Sequence, residues 1–437
     1  MRKTDLIQRT QAVVWHPCTQ MKEQETTPPL AISRGAGSWL YDTAGRAYLD
    51  GISSWWVNLF GHANSRINAA ICDQLAQIEH VMLAGCTHEP VVALSERLVA
   101  LTGLEHVFYG SDGASATEIA LKMSFHYWRN SGRPDKTEFI SIKQGYHGET
   151  LGALSVTDVA IFKDVYAPLL RHSTQIMSPD WRLAAPGESQ EQYALRAADD
   201  LAVFLQRQHA RVAAVIVEPL VQAAAGMAMH HPAYLRRVRQ LCDQYGVHLI
   251  ADEIAVGFGR TGTMFACEQA DIKPDLMCLS KGITGGYLPL SAVLASDTVY
   301  RAFYDDTTAR GFLHSHSYTG NPLACRAALA TLAIFEQDGV LANNTLKAEY
   351  LDAAAAPLRG HERARHFRRT GMIWAFDVSD AGSDFARDFY LAALAQGVLL
   401  RPIGNTVYFM PPYVITEAEI DHMVAGALRA LNCVKLA

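Results

Sequence analysis

No apolar run in this 437-residue chain reaches membrane-spanning length, and the N-terminal MRKTDLIQRTQAVVWHPCTQ lacks the continuous apolar centre of an export signal. The expectation is a cytoplasmic protein with no membrane partner. Basic runs are missing as well: with a formal net charge of -6, nothing offers a broad attraction to nucleic acid or anionic lipid. The eight cysteines, at 18, 72, 86, 242, 267, 278, 325 and 433, form no C-x-x-C pair, so small reduced core residues are expected rather than disulfides or a zinc site. Neither His230-His231 nor the pair His314 and His316 resembles HExxH, and no metal is expected.

What is present is an ordinary globular balance, 49% hydrophobic and 19% charged, in a chain long enough for a large α/β domain and a smaller one. HVFYG (106–110), EFISI (138–142), AAVIVEP (213–219), VHLIADE (247–253), DLMCLS (275–280) and LSAVLAS (290–296) read as strands, apolar throughout as in a sheet covered on both faces. Helical patterns intervene, over Ala114 to Trp128 and Tyr234 to Tyr245, which predicts a wound, mostly parallel sheet. Residues 39–49 predict a hairpin around Thr43 to Gly45. From about 330 two helices lead into strands in GMIWAFDV, VLLRPI and TVYFM and a final helix near 416–431. The division expected is 1–60 and 331–437 for a small α+β domain drawn from both termini, and 61–330 for the large domain.

Polar motifs collect at the ends of these strands, where open α/β sheets bind ligands. GFGRTG at 257–262 matches the dinucleotide fingerprint GxGxxG, but no clean helical period opens at its last glycine, and Asp252 and Glu253 would set negative charge near a pyrophosphate. GSDGASATE at 110–118 is a turn of small residues opening a helix; it suits a phosphate, and equally a plain N-cap by Ser111 or Asp112. GYHG at 145–148 sets an aromatic and an imidazole on a turn, for stacking on a planar ligand or for packing. Trp55 and Trp56, read as a strand, would point to opposite faces, so at most one lines a site. Asp252 ends an apolar strand and needs a partner, either a protonated ring nitrogen or Arg260 in a structural ion pair. Lys281, in DLMCLSKGITGG, is an amine at a strand end among small residues, placed to condense with an aldehyde. The glycines would leave room for that exchange, and a P-loop does not fit because they follow the lysine.

Phosphate turn, aromatic turn, strand-end aspartate and lysine, in that order, resemble a fold type I pyridoxal-phosphate enzyme. IVEP, DEIAVGFGRTG, LSKGITGG and YTGNPLA make the chain similar to the class III aminotransferases, and from WHPCTQM at 15 to MPPY at 413 it resembles the branch of biotin synthesis that aminates 8-amino-7-oxononanoate. The resemblance implies that Lys281 anchors pyridoxal 5'-phosphate covalently and carries the proton. Asp252 would keep the pyridine nitrogen protonated, Gly113 and Ala114 would bind phosphate through N–H groups, and Tyr146 would sit beside the ring and substrate. It further implies a homodimer in which His316 and Ser317 reach the neighbouring subunit's phosphate. Trp55 and Arg401 match substrate positions, Arg401 suited to a carboxylate. Ala255, where ω-aminotransferases carry glutamine, and the SSWW segment favour the biotin branch. Cys18 stands where members carry an aromatic that contacts substrate, Ser315 where they carry a substrate-contacting glycine, and Ser317 where they carry threonine. The amino donor implied is S-adenosylmethionine, with lysine as the alternative that Cys18 and Ser315 leave open. Another class III ω-aminotransferase is the second reading, and a non-catalytic cofactor-binding homologue the third.

Overall fold

A computed structural model describes residues 3–435. Its centre is a seven-stranded sheet of β1 (His106–Gly110), β2 (Glu138–Ile142), β3 (Thr174–Ile176), β4 (Val212–Val217), β5 (His248–Asp252), β6 (Leu276–Leu279) and β7 (Ser291–Ala295), in the order β1-β7-β6-β5-β4-β2-β3. All run parallel except β7, which lies antiparallel between β6 and β1. Every residue of β4, β5, β6 and β7 is buried, which explains why these segments read as apolar runs without alternation. Helix α1 (Gly113–Asn130) covers one face of the sheet, burying Ile119, Met123 and Trp128 and leaving Tyr127 half-buried.

The ends of the chain meet in one sheet. Trp39–Asp42 and Ala47–Asp50 form the expected hairpin, with Gly45 at φ +80° donating its N–H to the Asp42 carbonyl, and Val398–Leu399 adds parallel to Ala47–Asp50. Ala364–Thr370, Ile373–Val378 and Thr406–Phe409 make a separate antiparallel sheet, and the last helix is Glu417–Cys433. Glu419 closes that helix's capping box with Thr416 and also accepts the Trp39 indole N–H at 2.6 Å. Among the described residues no helix is long and apolar enough to cross a membrane.

Three expectations change. Residues 53–56 are no strand: Ser53, Ser54, Trp55 and Trp56 have φ of +52°, +47°, +72° and +73°, a left-handed turn closed by the Trp56 N–H to the Ile52 carbonyl at 2.9 Å. Left-handed backbone costs about 1–2 kcal/mol per non-glycine residue, so tertiary contacts have to offset several kcal/mol here. The glycines after Lys281 serve packing. A Cβ on Gly286 would lie 2.8 Å from the Val57 backbone, and one on Gly285 would lie 2.9 Å from Thr331 Oγ1. All eight cysteines are free, but only Cys242, Cys267, Cys278 and Cys325 are core residues; Cys18, Cys72, Cys86 and Cys433 are exposed.

Candidate active site

The polar residues singled out in the sequence gather at the carboxyl ends of the parallel strands. β5 ends on Asp252, β4 is followed by Glu218, β2 by the turn holding Tyr146 and His147, β1 by the N-terminus of α1, and β6 by Ser280 and Lys281. Lys281 adopts φ +45° directly after the extended Ser280, which turns the chain out of the sheet at the amine. Lys281 Nζ makes no hydrogen bond among the described residues and sits 4.8 Å from the centre of the Trp56 ring. Desolvation pushes this amine below its ordinary value, while Asp252 and Glu218 pull it back up.

Asp252 is 4% exposed, and its partner is His147: Oδ2 lies 2.7 Å from His147 Nδ1, and Oδ1 accepts the Ile254 N–H at 3.1 Å. The alternative ion pair with Arg260 is not made. The Arg260 guanidinium instead donates to the backbone carbonyls of Pro411, Trp56 and Asn58, and the GFGRTG segment opens no helix at Gly262. Glu218 is buried with Oε1 accepting the Tyr146 N–H at 2.9 Å and Oε2 the Ala223 N–H at 3.0 Å; burial pushes its carboxyl up to about 7, with His147 opposing.

The phosphate turn keeps both of its readings. Asp112 is the N-cap, its Oδ1 accepting the Ser115 N–H at 2.9 Å, and among the described residues the Gly113 and Ala114 N–H groups have no acceptor and are open to donate at the positive end of the helix. Close approach surrounds this cradle. A Cβ on Gly113 would lie 3.0 Å from Ile254 Cγ2, and one on Gly148 would lie 2.6 Å from Ala114 Cβ. A free amine, an aspartate able to accept another N–H and two open amides are the donor set that a phosphorylated pyridine aldehyde requires, and the residues fit it.

Around this centre the remaining residues spread outward. Tyr146 is half-buried, its hydroxyl donating to Glu149 Oε1 at 2.8 Å, and burial first and Glu149 second push its phenol upward. Cys18 is exposed at φ +47°, and partial burial and Glu149 raise its thiol while Arg401 opposes them. The Arg401 guanidinium carbon stands 5.1 Å from the exposed Trp55 ring. Both tryptophans therefore face this region, Trp56 beneath Lys281 and Trp55 beside Arg401, which the strand reading did not allow. His316 Nδ1 is 3.0 Å from Ser111 Oγ of the same chain, whereas Ser315 and Ser317 are exposed and make no side-chain hydrogen bond among the described residues. A cavity of about 660 Å³ lies elsewhere, lined by Lys122, Leu151, Leu169, Leu313 and His314 among others, and reaches neither Lys281 nor Asp252.

Sequence reasoning passed over Glu218, His147 and Trp56. Glu218 had the same signal as Asp252, a carboxylate closing an apolar strand, in the neighbouring strand of the sheet. His147 was on a turn already singled out, but its partner is 105 residues away.

The chain is similar to known proteins over nearly its whole length. An adenosylmethionine-8-amino-7-oxononanoate aminotransferase from Helicobacter pylori is 44% identical over 427 residues, 96% of each chain. The crystal structure of the enzyme of that name from Methanocaldococcus jannaschii superimposes with a TM-score of 0.94 at 36% identity, covering 100% of both chains. An omega transaminase from Pseudomonas jessenii, solved in complex with PMP, gives a TM-score of 0.93 at 28% identity, covering 98% of this chain and 97% of that one. Residues 20–431 match the family described as aminotransferase class-III, and with Lys281, Asp252 and the open amides of Gly113 and Ala114 gathered at the carboxyl end of one sheet, the chain belongs to that family.

Proposed function

We propose that this protein is the aminotransferase that converts 8-amino-7-oxononanoate to 7,8-diaminononanoate in biotin synthesis, with S-adenosylmethionine as amino donor and pyridoxal 5'-phosphate as cofactor. The carrying observation is the convergence of Lys281, Asp252 and the free amides of Gly113 and Ala114. The names of the relatives supply the substrate class, and the PMP of the P. jessenii structure supports the cofactor. When bound, the cofactor supplies an aldehyde and an electron sink that let an amino group leave one substrate and join another. Lys281 would hold it and move the proton, its basicity lowered by burial. Asp252, steadied by His147, would keep the cofactor's ring nitrogen protonated. The amides of Gly113 and Ala114 bind the phosphate, and Tyr146 and Trp55 wall the substrate. Arg401 forks the carboxylate of the ketone, while Cys18 and Ser315 border the donor.

A homodimer belongs to this reading. Leu169 and Leu313, 66% and 77% exposed, line one apolar hollow, and His316 and Ser317 lie on the same segment as Leu313 and the 66% exposed Tyr318, which supports a partner covering this side. A cytoplasmic location follows from biosynthetic chemistry of this kind.

The test is spectroscopic and kinetic. The purified protein is expected to carry a visible cofactor band that bleaches with S-adenosylmethionine and returns with the oxononanoate. Lys281→Ala is expected to lower turnover by at least about a thousandfold. An active K281A enzyme would sink the mechanism. Bleaching by lysine alone would reassign the donor, and turnover only with pyruvate or 2-oxoglutarate would favour another ω-aminotransferase.

A further inference from the structure

Asp50 closes the strand Ala47–Asp50 with its side chain fully buried. Its carboxylate is spent on the turn that follows. Oδ1 accepts the Ser54 N–H at 2.9 Å and the Ile52 N–H at 3.4 Å, and Oδ2 accepts the Ser54 hydroxyl at 2.7 Å. His62 Nε2 lies 3.0 Å from the same Oδ2 and orients the carboxylate from the other side.

The segment so held is the left-handed stretch 53–56. Side-chain direction follows the backbone, so the hand of this turn decides where two adjacent tryptophans point. In the hand observed, Trp56 lies under the Lys281 amine, 4.8 Å away, with its indole N–H donating to the Tyr408 hydroxyl at 3.1 Å, while Trp55 lies 5.1 Å from the Arg401 guanidinium. Other fastenings bind the flanks: Ser53 Oγ donates to the Met410 carbonyl, and Arg260 donates to the carbonyls of Trp56 and Asn58. Among the described residues, Asp50 is the side chain that takes an amide inside the strained stretch.

We propose that Asp50 is a positioning residue for the aminotransferase reaction: it holds residues 53–56 left-handed, and so sets Trp56 beneath the reacting amine and Trp55 beside the carboxylate-binding arginine. Asp50 touches no substrate and acts only through this turn. The kinetic part rests on the function proposed above; the conformational part does not.

The test uses Asp50→Ala, the double variant Asp50→Ala/Ser54→Gly and Ser54→Val. Glycine at 54 accepts positive φ without a Cβ penalty, whereas a β-branched residue resists it. D50A is expected to weaken the tryptophan near-ultraviolet circular dichroism of the cofactor-free protein, and to lower kcat/KM for the oxononanoate roughly tenfold to a hundredfold. D50A/S54G is expected to recover most of both signals, which a general loss of stability would not allow. A folded D50A with unchanged dichroism and kcat/KM within about twofold of the parent overturns the proposal, and so does a loss that S54G leaves untouched. Should D50A fail to fold, S54V decides: a rise in KM of about tenfold supports the proposal and an unchanged KM refutes it. A parent enzyme without turnover defeats the functional reading alone, since the dichroism of the variants still judges Asp50.

Discussion

A buried carboxylate is stable only in company, and the company Asp252 keeps is His147. Both side chains are nearly inaccessible, so the pair exists in a low-dielectric setting where removing one member leaves the other stranded. His147→Ala is expected to lower the unfolding free energy by roughly 3–5 kcal/mol and to speed loss of cofactor on dilution. Urea titration measures the first and gel filtration with absorbance the second. A change below about 0.5 kcal/mol would mean that Asp252 is satisfied by another group. The need of Asp252 for a partner was legible, because a carboxylate that closes the apolar run 249–251 has no cation beside it in sequence. The partner's identity was not. Arg260 is nearer in sequence, yet its guanidinium meets carbonyls delivered by residues 56, 58 and 411, and it is used up there.

At the scale of elements, β4 to β7 were plain from composition because each is buried throughout, so that apolar content alone marks it, whereas the short, partly exposed β3 was not legible. The SSWW turn defeated the same logic. Its two tryptophans favour a strand, and its left-handed backbone exists because Asp50, His62 and the glycines after Lys281 close around it. Gly286 shows the coupling: at φ +88°, with the Val57 and Asn58 backbones 2.8–2.9 Å from where a Cβ would stand, it admits no side chain. Gly286→Ala is expected to destabilise the protein by about 2–4 kcal/mol, combining left-handed strain with overpacking. The melting temperature should fall accordingly. An unchanged melting temperature would show that residues 57–58 yield freely.

Over the whole molecule, buried titratable groups set the response to acid. Burial pushes His230 and His248 down to about 4, so the folded protein keeps them neutral while the unfolded chain takes protons near 6.5. Their contribution to stability is complete above that value and is lost as pH falls from 6.5 toward 4. Glu218 and Glu253 act in the opposite sense. Burial pushes each up to about 7, so the cost of their charge is relieved as pH falls from 7 toward the unfolded value of 4.5. Between those limits the two pairs offset one another. Removing one histidine breaks the balance: the destabilisation by His248→Asn is expected to shrink by about 2 kcal/mol between pH 6.5 and 4.5, measured by urea titration. A constant difference across that range would contradict a neutral buried His248.

Sequence alone determined the wound sheet, the order of the strand-end motifs and the place of Lys281 and Asp252 at strand ends, because those features are carried by short segments whose polar ends contrast with apolar runs. Tertiary structure alone decided which groups answer them. His147 reaches Asp252, Glu218 joins the turn of Tyr146 to β4, and Asp50 bends SSWW so that Trp56 meets Lys281. Each of these pairings is set by the register of strands and the hand of a turn, which depend on the packing of segments far apart in the chain and leave no mark in any local run of residues.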